Sequence, residues 1–428
     1  MLNTVADPAL QMTGQDWANA IAHAADANAC IQIIVTFAGQ VEEGLLRQAV
    51  AYTQRAFPVL CRRFDDAAEA PVWARVPDED TRQWVQVERT ADKEQAIRRF
   101  LQQEGAPLEQ MLAVRLIITR TQSVLCLRID HGCCDGGGAK AYLRFLCDAY
   151  SALDRRLARP LPIAVNGDRG VAQVFSACNM ATARQAYRPE KNLPLPTVTV
   201  PFGPRQGGPV RYARQCIAHR ALRPLAPGIT INDRIVAAYA HCLHRHAPAG
   251  PHGSPPDRLA VNVTVDLRRY LPAGHSPVVC NLSGMESVLT PISQQGYPGT
   301  TQGVHDLMDG VKQSLPGLHS AAAMELMTAM GYPKARALLL QAGEKQRITG
   351  VSIPILSNLG QIGQICMGDH CATDVYVATP AFHAPAFMLG CSSYGEELTL
   401  TAGYYAHERN EEDIQGFLQE MGALLCGA

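Results

Sequence analysis

The chain has 428 residues, of which 47% are apolar, and a formal net charge of −1 at pH 7. This near-neutral charge, with no basic stripe, excludes the cationic surface on which nucleic-acid binding depends. We expect a soluble cytoplasmic protein, because the N-terminus lacks the basic and then apolar segments of a signal peptide and no apolar run approaches the length of a membrane span. We also expect reduced thiols, because the 14 cysteines show no paired spacing.

The first half of the chain alternates helix-like and strand-like segments. Apolar residues spaced by three and four predict helices, and short alternating or continuous apolar runs predict strands. We predict helices at 13–25, 41–56, 93–103 and 139–157, and strands at 31–37, 72–75, 113–118 and 124–129.

The strand at 124–129 leads into the most informative stretch, in which His131 is followed four residues later by Asp135 and then by three glycines, 136–138. A histidine can take a proton from a hydroxyl, amine or thiol near neutral pH. An aspartate one turn later can orient it, and glycines allow a substrate to approach the main chain. The same order can also mark only a tight turn, so the residues alone leave both interpretations open.

A segment rich in proline and glycine, residues 188–209, divides the chain. Proline lacks an amide donor and fixes φ, so we predict no regular element there. We therefore predict an N-terminal lobe at 1–190, a linker at 191–209 and a C-terminal lobe at 210–428. In the second lobe we predict strands at 210–216, 259–265, 352–356, 374–378, 386–392 and 397–404, and helices at 232–246, 304–314, 322–330 and 411–425.

Residues 131–136 resemble the His-x-x-x-Asp-Gly signature of the chloramphenicol acetyltransferase-like superfamily. That group includes condensation domains of nonribosomal peptide synthetases, polyketide-associated acyltransferases, alcohol acetyltransferases and plant-type BAHD acyltransferases. Residues 57–64, 229–233, 261–272 with 281–284, and 357–360 are similar to its other elements, so the resemblance covers nearly the whole chain. Asp130 stands where condensation domains carry a further histidine, and the plant-type Asp-Phe-Gly-Trp-Gly element is absent from the sequence. We therefore place the chain with the bacterial branches.

The resemblance implies an α/β fold with two chloramphenicol-acetyltransferase-like lobes. Each lobe would be a mixed sheet flanked by helices, and the active-site channel would lie between them. It also implies an acyltransferase that moves an acyl group from a coenzyme A or carrier-protein phosphopantetheine thioester to a hydroxyl or amine of a secondary metabolite. We expect no permanently bound cofactor, no metal, no membrane partner, and a monomer, because one chain with both lobes can complete the site.

The resemblance also assigns roles to individual residues. The catalytic residues would be His131, as the general base, and Asp135, which would point away from the substrate and pair with Arg268. Arg268 and Gly136 are thus structural or orienting residues. The candidate substrate or oxyanion contacts are Gly137, Ser357 and Asn358, with the amides of 136–138.

Several alternatives remain open at this stage. The protein could be a stand-alone condensation enzyme that forms an amide from a carrier-bound acyl donor, or a non-catalytic module that binds a carrier protein. Cys133 and Cys134 lie inside the motif and could act as covalent nucleophiles, although a cysteine nucleophile needs its own base. Cys366, His370 and Cys371 look metal-like, but their spacing matches no closed zinc set, so we interpret them as packing residues.

Overall fold

A computed structural model describes residues 10–24, 28–67, 70–76, 84–103, 109–156, 168–192, 194–197, 207–223, 227–247, 256–273, 279–407 and 411–427. Within these residues the chain forms eleven helices: α1 (Gly14–Ala24), α2 (Glu43–Ala56), α3 (Lys93–Gln102), α4 (Gly136–Asp154), α5 (Ala172–Ala177), α6 (Ala183–Ala186), α7 (Ile231–His246), α8 (Tyr297–Gln313), α9 (Leu318–Thr328), α10 (Tyr332–Thr349) and α11 (Glu411–Cys426).

The same residues form fifteen strands: β1 (Leu10–Gln11), β2 (Cys30–Phe37), β3 (Arg62–Asp65), β4 (Val72–Arg75), β5 (Val85–Arg89), β6 (Leu112–Ile118), β7 (Ser123–Asp130), β8 (Val210–Ala218), β9 (Arg258–Asp266), β10 (Ser283–Pro291), β11 (Ile355–Gln361), β12 (Cys366–Met367), β13 (His370–Ala378), β14 (Met388–Tyr394) and β15 (Glu397–Tyr405). None of the described helices is both long enough and apolar enough to span a bilayer.

The first large sheet has the strand order β12-β13-β2-β7-β6-β5. All its pairings are antiparallel except the parallel pairing of β5 with β6. Every residue of β2 and β7 is buried. Leu125 and Leu127 of β7 pack in one core, whereas Val124 and Cys126 pack in another on the opposite face. A central strand that is covered on both faces has apolar residues at nearly every position. This explains why the residues before His131 form a nearly continuous apolar run.

The second large sheet has the order β10-β9-β11-β14-β15-β8, and β1, β4 and β3 form a small third sheet. In the second sheet, β11 runs parallel to both β9 and β14, and the other pairings are antiparallel. Apolar residues of α7 and α11 pack with this sheet in a separate core. The predicted α/β class with two lobes, each a mixed sheet with helices, is therefore confirmed.

The two lobes interlock, because β12 and β13 come from the second half of the chain and complete the first sheet. From β13 the chain passes to β14 in the second sheet. Arg214 of β8 also bonds to both carboxylate oxygens of Asp374 on β13, at 2.9 and 2.7 Å. The predicted linker at 191–209 lies partly outside the described residues, so the three-part division stays a prediction. Strands β12 and β13 follow this linker in the chain, although they belong to the sheet of the first lobe.

Some helix and strand ends differ from the sequence prediction for clear physical reasons. Helix α4 begins at Gly136 rather than at 139, because the Asp135 carboxylate caps it and holds three poor helix formers in the first turn. Helix α8 begins at Tyr297 rather than at 304. The sequence did not predict its first two turns, because their proline, glycine and threonine residues show no apolar periodicity. Residues Pro189–Asn192 form a short 3-10 turn where no regular element was predicted.

The sequence analysis also missed the short helices α5 and α6, helix α10, and strands β1, β3, β5, β10 and β12. Helix α10 has 18 residues, but Tyr332 and Ala335 are its only fully buried residues in the structure as described. Its apolar positions Leu338 and Ile348 are 50% and 76% exposed. Leu339 and Leu340 pack against the same small core only in part, so the helix has no sustained apolar stripe to detect.

Candidate active site

His131 follows β7 directly and lies in a tight turn between the two large sheets. Its backbone amide donates to the carbonyl of Ala29 at 3.0 Å, and Asp130 Oδ1 accepts from the next amide, Gly132 N, at 2.8 Å. The imidazole borders a narrow cavity that both lobes line. Its polar side chains are His131 and Ser357 together with Thr379, and its other walls include Gly136, Leu359 and Gly390.

The imidazole of His131 forms no hydrogen bond with any described residue, and its Nδ1 is buried without a partner. Buried polar atoms are nearly always satisfied. His131 also lines the cavity, so its imidazole is placed to bond to a hydroxyl or amine that enters there.

Asp135 points away from this cavity and forms the ion pair that was predicted with Arg268. The Nη1 atom of Arg268 lies 2.9 Å from Oδ1 and 3.0 Å from Oδ2 of Asp135. The same carboxylate accepts from Gly138 N at 2.7 Å and from Leu282 N at 2.6 Å. Burial alone would lower the pKa of Arg268, but the negative charge of Asp135 beside it raises the pKa well above its usual value. The pair joins the start of α4 to the second lobe.

A second buried network, which the sequence analysis did not find, holds the carbonyl groups of the His131 turn. The Nδ2 atom of Asn281 lies 3.0 Å from the carbonyl oxygen of His131, 2.9 Å from that of Gly132, and 2.9 Å from Asp16 Oδ1. Arg169 Nη2 donates to Asp16 Oδ2 at 3.0 Å and to the carbonyl of Cys133 at 3.1 Å. Three successive carbonyls are thus fixed by two side chains, both anchored on one buried carboxylate.

Of Asn281, Asp16 and Arg169, only Asn281 could be singled out from the sequence. Asn281 belongs to the Asn-Leu-Ser-Gly stretch that contributed to the resemblance, whereas nothing marked Asp16 or Arg169. They lie more than 100 residues apart in the chain and meet only in the folded protein.

The other residues that were predicted to contact the substrate or the oxyanion lie in two different places. Gly136 and Ser357 line the cavity beside His131, but Gly137 and Asn358 do not. Ser357 Oγ accepts a hydrogen bond from Thr264 at 3.2 Å, so its own proton remains free to donate. Asn358 instead donates from Nδ2 to Asn232 at 3.0 Å and lines a groove that contains Asn232. The amide of Gly138 is already used by Asp135.

The chain matches no known family model and no curated protein. Its fold, however, matches solved structures over almost its whole length. The first condensation domain of the calcium-dependent antibiotic synthetase, in complex with a substrate analogue, aligns with a TM-score of 0.73 at 15% identity, covering 98% of this chain and 97% of that chain.

Two further structures give the same result. The starter condensation domain of rhizomide synthetase, in complex with C8-CoA and Leu-SNAC, aligns with a TM-score of 0.72 at 13% identity, covering 98% and 94% of the two chains. A trichothecene 15-O-acetyltransferase from Fusarium sporotrichioides gives 0.69 at 12% identity, covering 97% and 94%. The chain has the condensation-domain fold.

Asp130, the residue before His131, forms a buried contact of its own. Its Oδ2 lies 3.0 Å from Nδ1 of His23 on α1, and both side chains are buried. Cys30, which pairs with Asp130 across β2 and β7, lies beside them. The Cys30 sulfur, a carboxylate oxygen of Asp130 and a ring nitrogen of His23 lie within 4.8 Å of one another. Burial and the charge of Asp130 raise the pKa of the Cys30 thiol. The geometry therefore favours a neutral thiol next to the pair of His23 and Asp130.

The two motif cysteines have the environment of core residues rather than nucleophiles. Cys133 and Cys134 are fully buried in the first-lobe core. Their thiols donate to the carbonyls of Asp130 and Asp135, at 3.3 and 3.4 Å. Burial raises the pKa of both thiols well above the usual value. A thiolate, the form that attacks, is therefore disfavoured at both positions.

Cys366 and Cys371 correct one interpretation of the sequence. We predicted that they were packing residues in a protein without paired cysteines, but they form a disulfide across the pairing of β12 with β13. The two are partners in an antiparallel hairpin, where directly opposed side chains come close. Their separation of five residues spans this turn, and the sequence alone did not reveal it.

Proposed function

We propose that this chain is an acyltransferase that moves an acyl group from a coenzyme A or carrier-protein thioester to a hydroxyl or amine of a small molecule. The observation that carries the proposal is the placement of His131. Its imidazole forms no hydrogen bond within the described part of the chain and borders a cavity to which both lobes contribute. Neighbours of the same fold include a domain in complex with C8-CoA and an O-acetyltransferase, which supports acyl transfer as the chemistry.

The residues suggest a mechanism with one general base. The acceptor O–H or N–H would hydrogen-bond to His131, which takes the proton as the acceptor attacks the thioester carbonyl. The carbonyl electron pair moves onto oxygen, and a tetrahedral intermediate forms. When that pair returns, the C–S bond breaks, and the leaving thiolate takes the proton from the imidazolium. Proton, acyl group and thiol are then all accounted for with no covalent enzyme intermediate.

Asp135 and Arg268 would act as positioning residues in this mechanism. Their ion pair fixes the first turn of α4 against the second lobe, while Gly136 in that turn leaves the cavity wall open. A Cβ at Gly136 would lie 2.7 Å from Leu359 Cδ2 and would narrow the cavity. The oxyanion donors that we propose are Ser357 and the amide of Gly136.

A thiol-release assay tests the proposal directly. Wild-type protein, His131→Ala and His246→Ala are each given a panel of acyl-CoA donors with mixed alcohol and amine acceptors. His246 is a matched control, since its exposed side chain contacts Glu420 and does not line the His131 cavity. We expect acceptor-dependent thiol release from wild type and His246→Ala, and a loss of about a hundredfold or more in His131→Ala.

Other outcomes separate the alternatives. If acyl-CoA donors release no thiol but a holo-carrier loaded with the acyl group does, the enzyme depends on a carrier protein, as the condensation reaction requires. If the protein binds the holo-carrier without releasing thiol, it is a non-catalytic binding module. Equal activity in wild type and His131→Ala would contradict the role of His131.

A further inference from the structure

Thr379 is a polar side chain of the His131 cavity that neither the sequence motifs nor the resemblance marked. It follows the last residue of β13, where the chain leaves the first sheet for the second, and it is 5% exposed. It lines the same cavity as His131 and Ser357, whose remaining walls are mostly apolar side chains and glycine. Three polar groups therefore converge on a space that is otherwise nonpolar.

The hydroxyl of Thr379 is buried and has no hydrogen-bond partner among the described residues. Its neighbour Thr401 shows the usual arrangement, because that hydroxyl donates to the carbonyl of Val377 at 2.9 Å. A buried hydroxyl without a partner is unfavourable, and native proteins keep few of them. An unsatisfied hydroxyl in the wall of a cavity can be satisfied by a ligand that enters the cavity.

The backbone around Thr379 makes room for this side chain. Gly390 on β14 also lines the cavity. A Cβ at this glycine would lie 2.2 Å from Thr379 Cγ2 and 2.8 Å from Thr401 Oγ1. Gly390 is thus required for the methyl group of Thr379 to pack where it does. The methyl group therefore packs directly against the backbone of Gly390.

We propose that the hydroxyl of Thr379 donates a hydrogen bond to the carbonyl oxygen of the bound acyl thioester. This inference rests on the proposed function. As the acceptor attacks, negative charge develops on that oxygen, and a donor already positioned in a site that excludes water stabilises it. When the C–S bond breaks, the electron pair returns to the carbonyl and the hydrogen bond weakens. Thr379 keeps its proton throughout, whereas His131 carries the proton that moves from acceptor to thiolate.

Thr379 would donate to the same oxygen as Ser357 and the amide of Gly136. Ser357 accepts from Thr264, so its proton is directed elsewhere, and its side chain belongs to the cavity wall. Thr379 comes from the end of β13 and Ser357 from β11, so the oxygen would be held from two strands. His131 reaches the cavity from the end of β7.

The test compares three variants in the thiol-release assay. Thr379→Val removes the hydroxyl and keeps the shape, and Thr379→Ser keeps the hydroxyl and removes a methyl group. Thr290→Val is the matched control, because Thr290 also has a fully buried hydroxyl without a partner among the described residues but does not line the His131 cavity. For each protein, kcat, KM and the melting temperature are measured.

We expect Thr379→Val to lose about a hundredfold in kcat with a melting temperature equal to or above that of wild type, because it removes an unsatisfied buried hydroxyl. Thr379→Ser should keep most of the activity, and Thr290→Val should have wild-type kcat. If the valine variant does not fold, Thr379→Ala against Thr379→Ser gives the same comparison.

Wild-type kcat in Thr379→Val would overturn the inference while leaving the proposed function in place, provided that His131→Ala is inactive. Equal losses in the valine and serine variants would overturn it as well, since packing rather than the hydroxyl would then be responsible. Absence of thiol release from wild type with any donor would overturn the proposed function and this inference together.

Discussion

Replacing Asp135 by alanine removes the acceptor for every group that its carboxylate now holds. These groups are the capping amide Gly138 N, the amide Leu282 N and the guanidinium of Arg268. The side chain of Arg268 is only 8% exposed, so the variant leaves a buried cation with the exposed Asp266 carboxylate, 3.2 Å away, as its remaining counter-charge.

The expected loss of stability follows from these contacts. Breaking a buried ion pair from one side costs about 3–5 kcal/mol, and loss of a helix N-cap costs about 1 kcal/mol. The two effects overlap in one carboxylate, and Arg268 keeps its bonds to Asp266 and to the carbonyl of Cys280. We therefore expect the free energy of unfolding of Asp135→Ala to fall by about 3–5 kcal/mol in total. The side chain of His131 makes no hydrogen bond to any residue that the structure describes, so His131→Ala should lose at most about 1 kcal/mol.

Equilibrium unfolding in urea, followed by circular dichroism, measures both variants against wild type. Asp135→Ala combined with Arg268→Met serves as the control, because replacing the whole pair by apolar groups should restore part of the stability. The reasoning is refuted if Asp135→Ala unfolds at the wild-type urea concentration, or if His131→Ala is destabilised as much as Asp135→Ala.

Three further outcomes can be checked with the same assays. Gly137→Ala should be destabilised by about 1–3 kcal/mol and lose activity, because its Cβ would lie 2.9 Å from Nη1 of Arg268; wild-type unfolding and rate would contradict this. Cys133→Ser should keep most of its thiol-release activity, since a buried thiol with a raised pKa is no nucleophile; an inactive but folded variant would restore the covalent alternative. Asn281→Ala should lower kcat more than it raises KM, because its amide fixes the carbonyl of His131; a change in KM alone would contradict a positioning role.

The sequence predicted the parts of this protein that have strong local patterns. The buried strand before His131 was predicted from a continuous apolar run, and the turn with Asp135 was predicted from the motif spacing, because both are local features. The pairing of Asp135 with Arg268 across 133 residues came from the resemblance, and the structure contains it.

What the sequence did not predict depends on contacts made only after folding. Asp16 and Arg169 meet beneath the His131 turn from distant parts of the chain. Thr379 acquires its place in the cavity because β13 crosses into the first sheet, a strand exchange between lobes that no local pattern encodes. The Cys366–Cys371 disulfide likewise depends on a hairpin of which one strand has only two residues.

The central claim is that the acyl group passes directly from one bound substrate to the other with His131 as the general base, and mass spectrometry of the products tests this claim most directly. The protein is incubated with an acyl-CoA donor that carries a ¹³C-labelled acyl group and with the acceptor that gives the highest thiol release. We predict that the acceptor gains the labelled acyl mass with wild type, that it gains almost none with His131→Ala, and that neither protein becomes labelled. A labelled protein, or equal product from both proteins, would contradict the account.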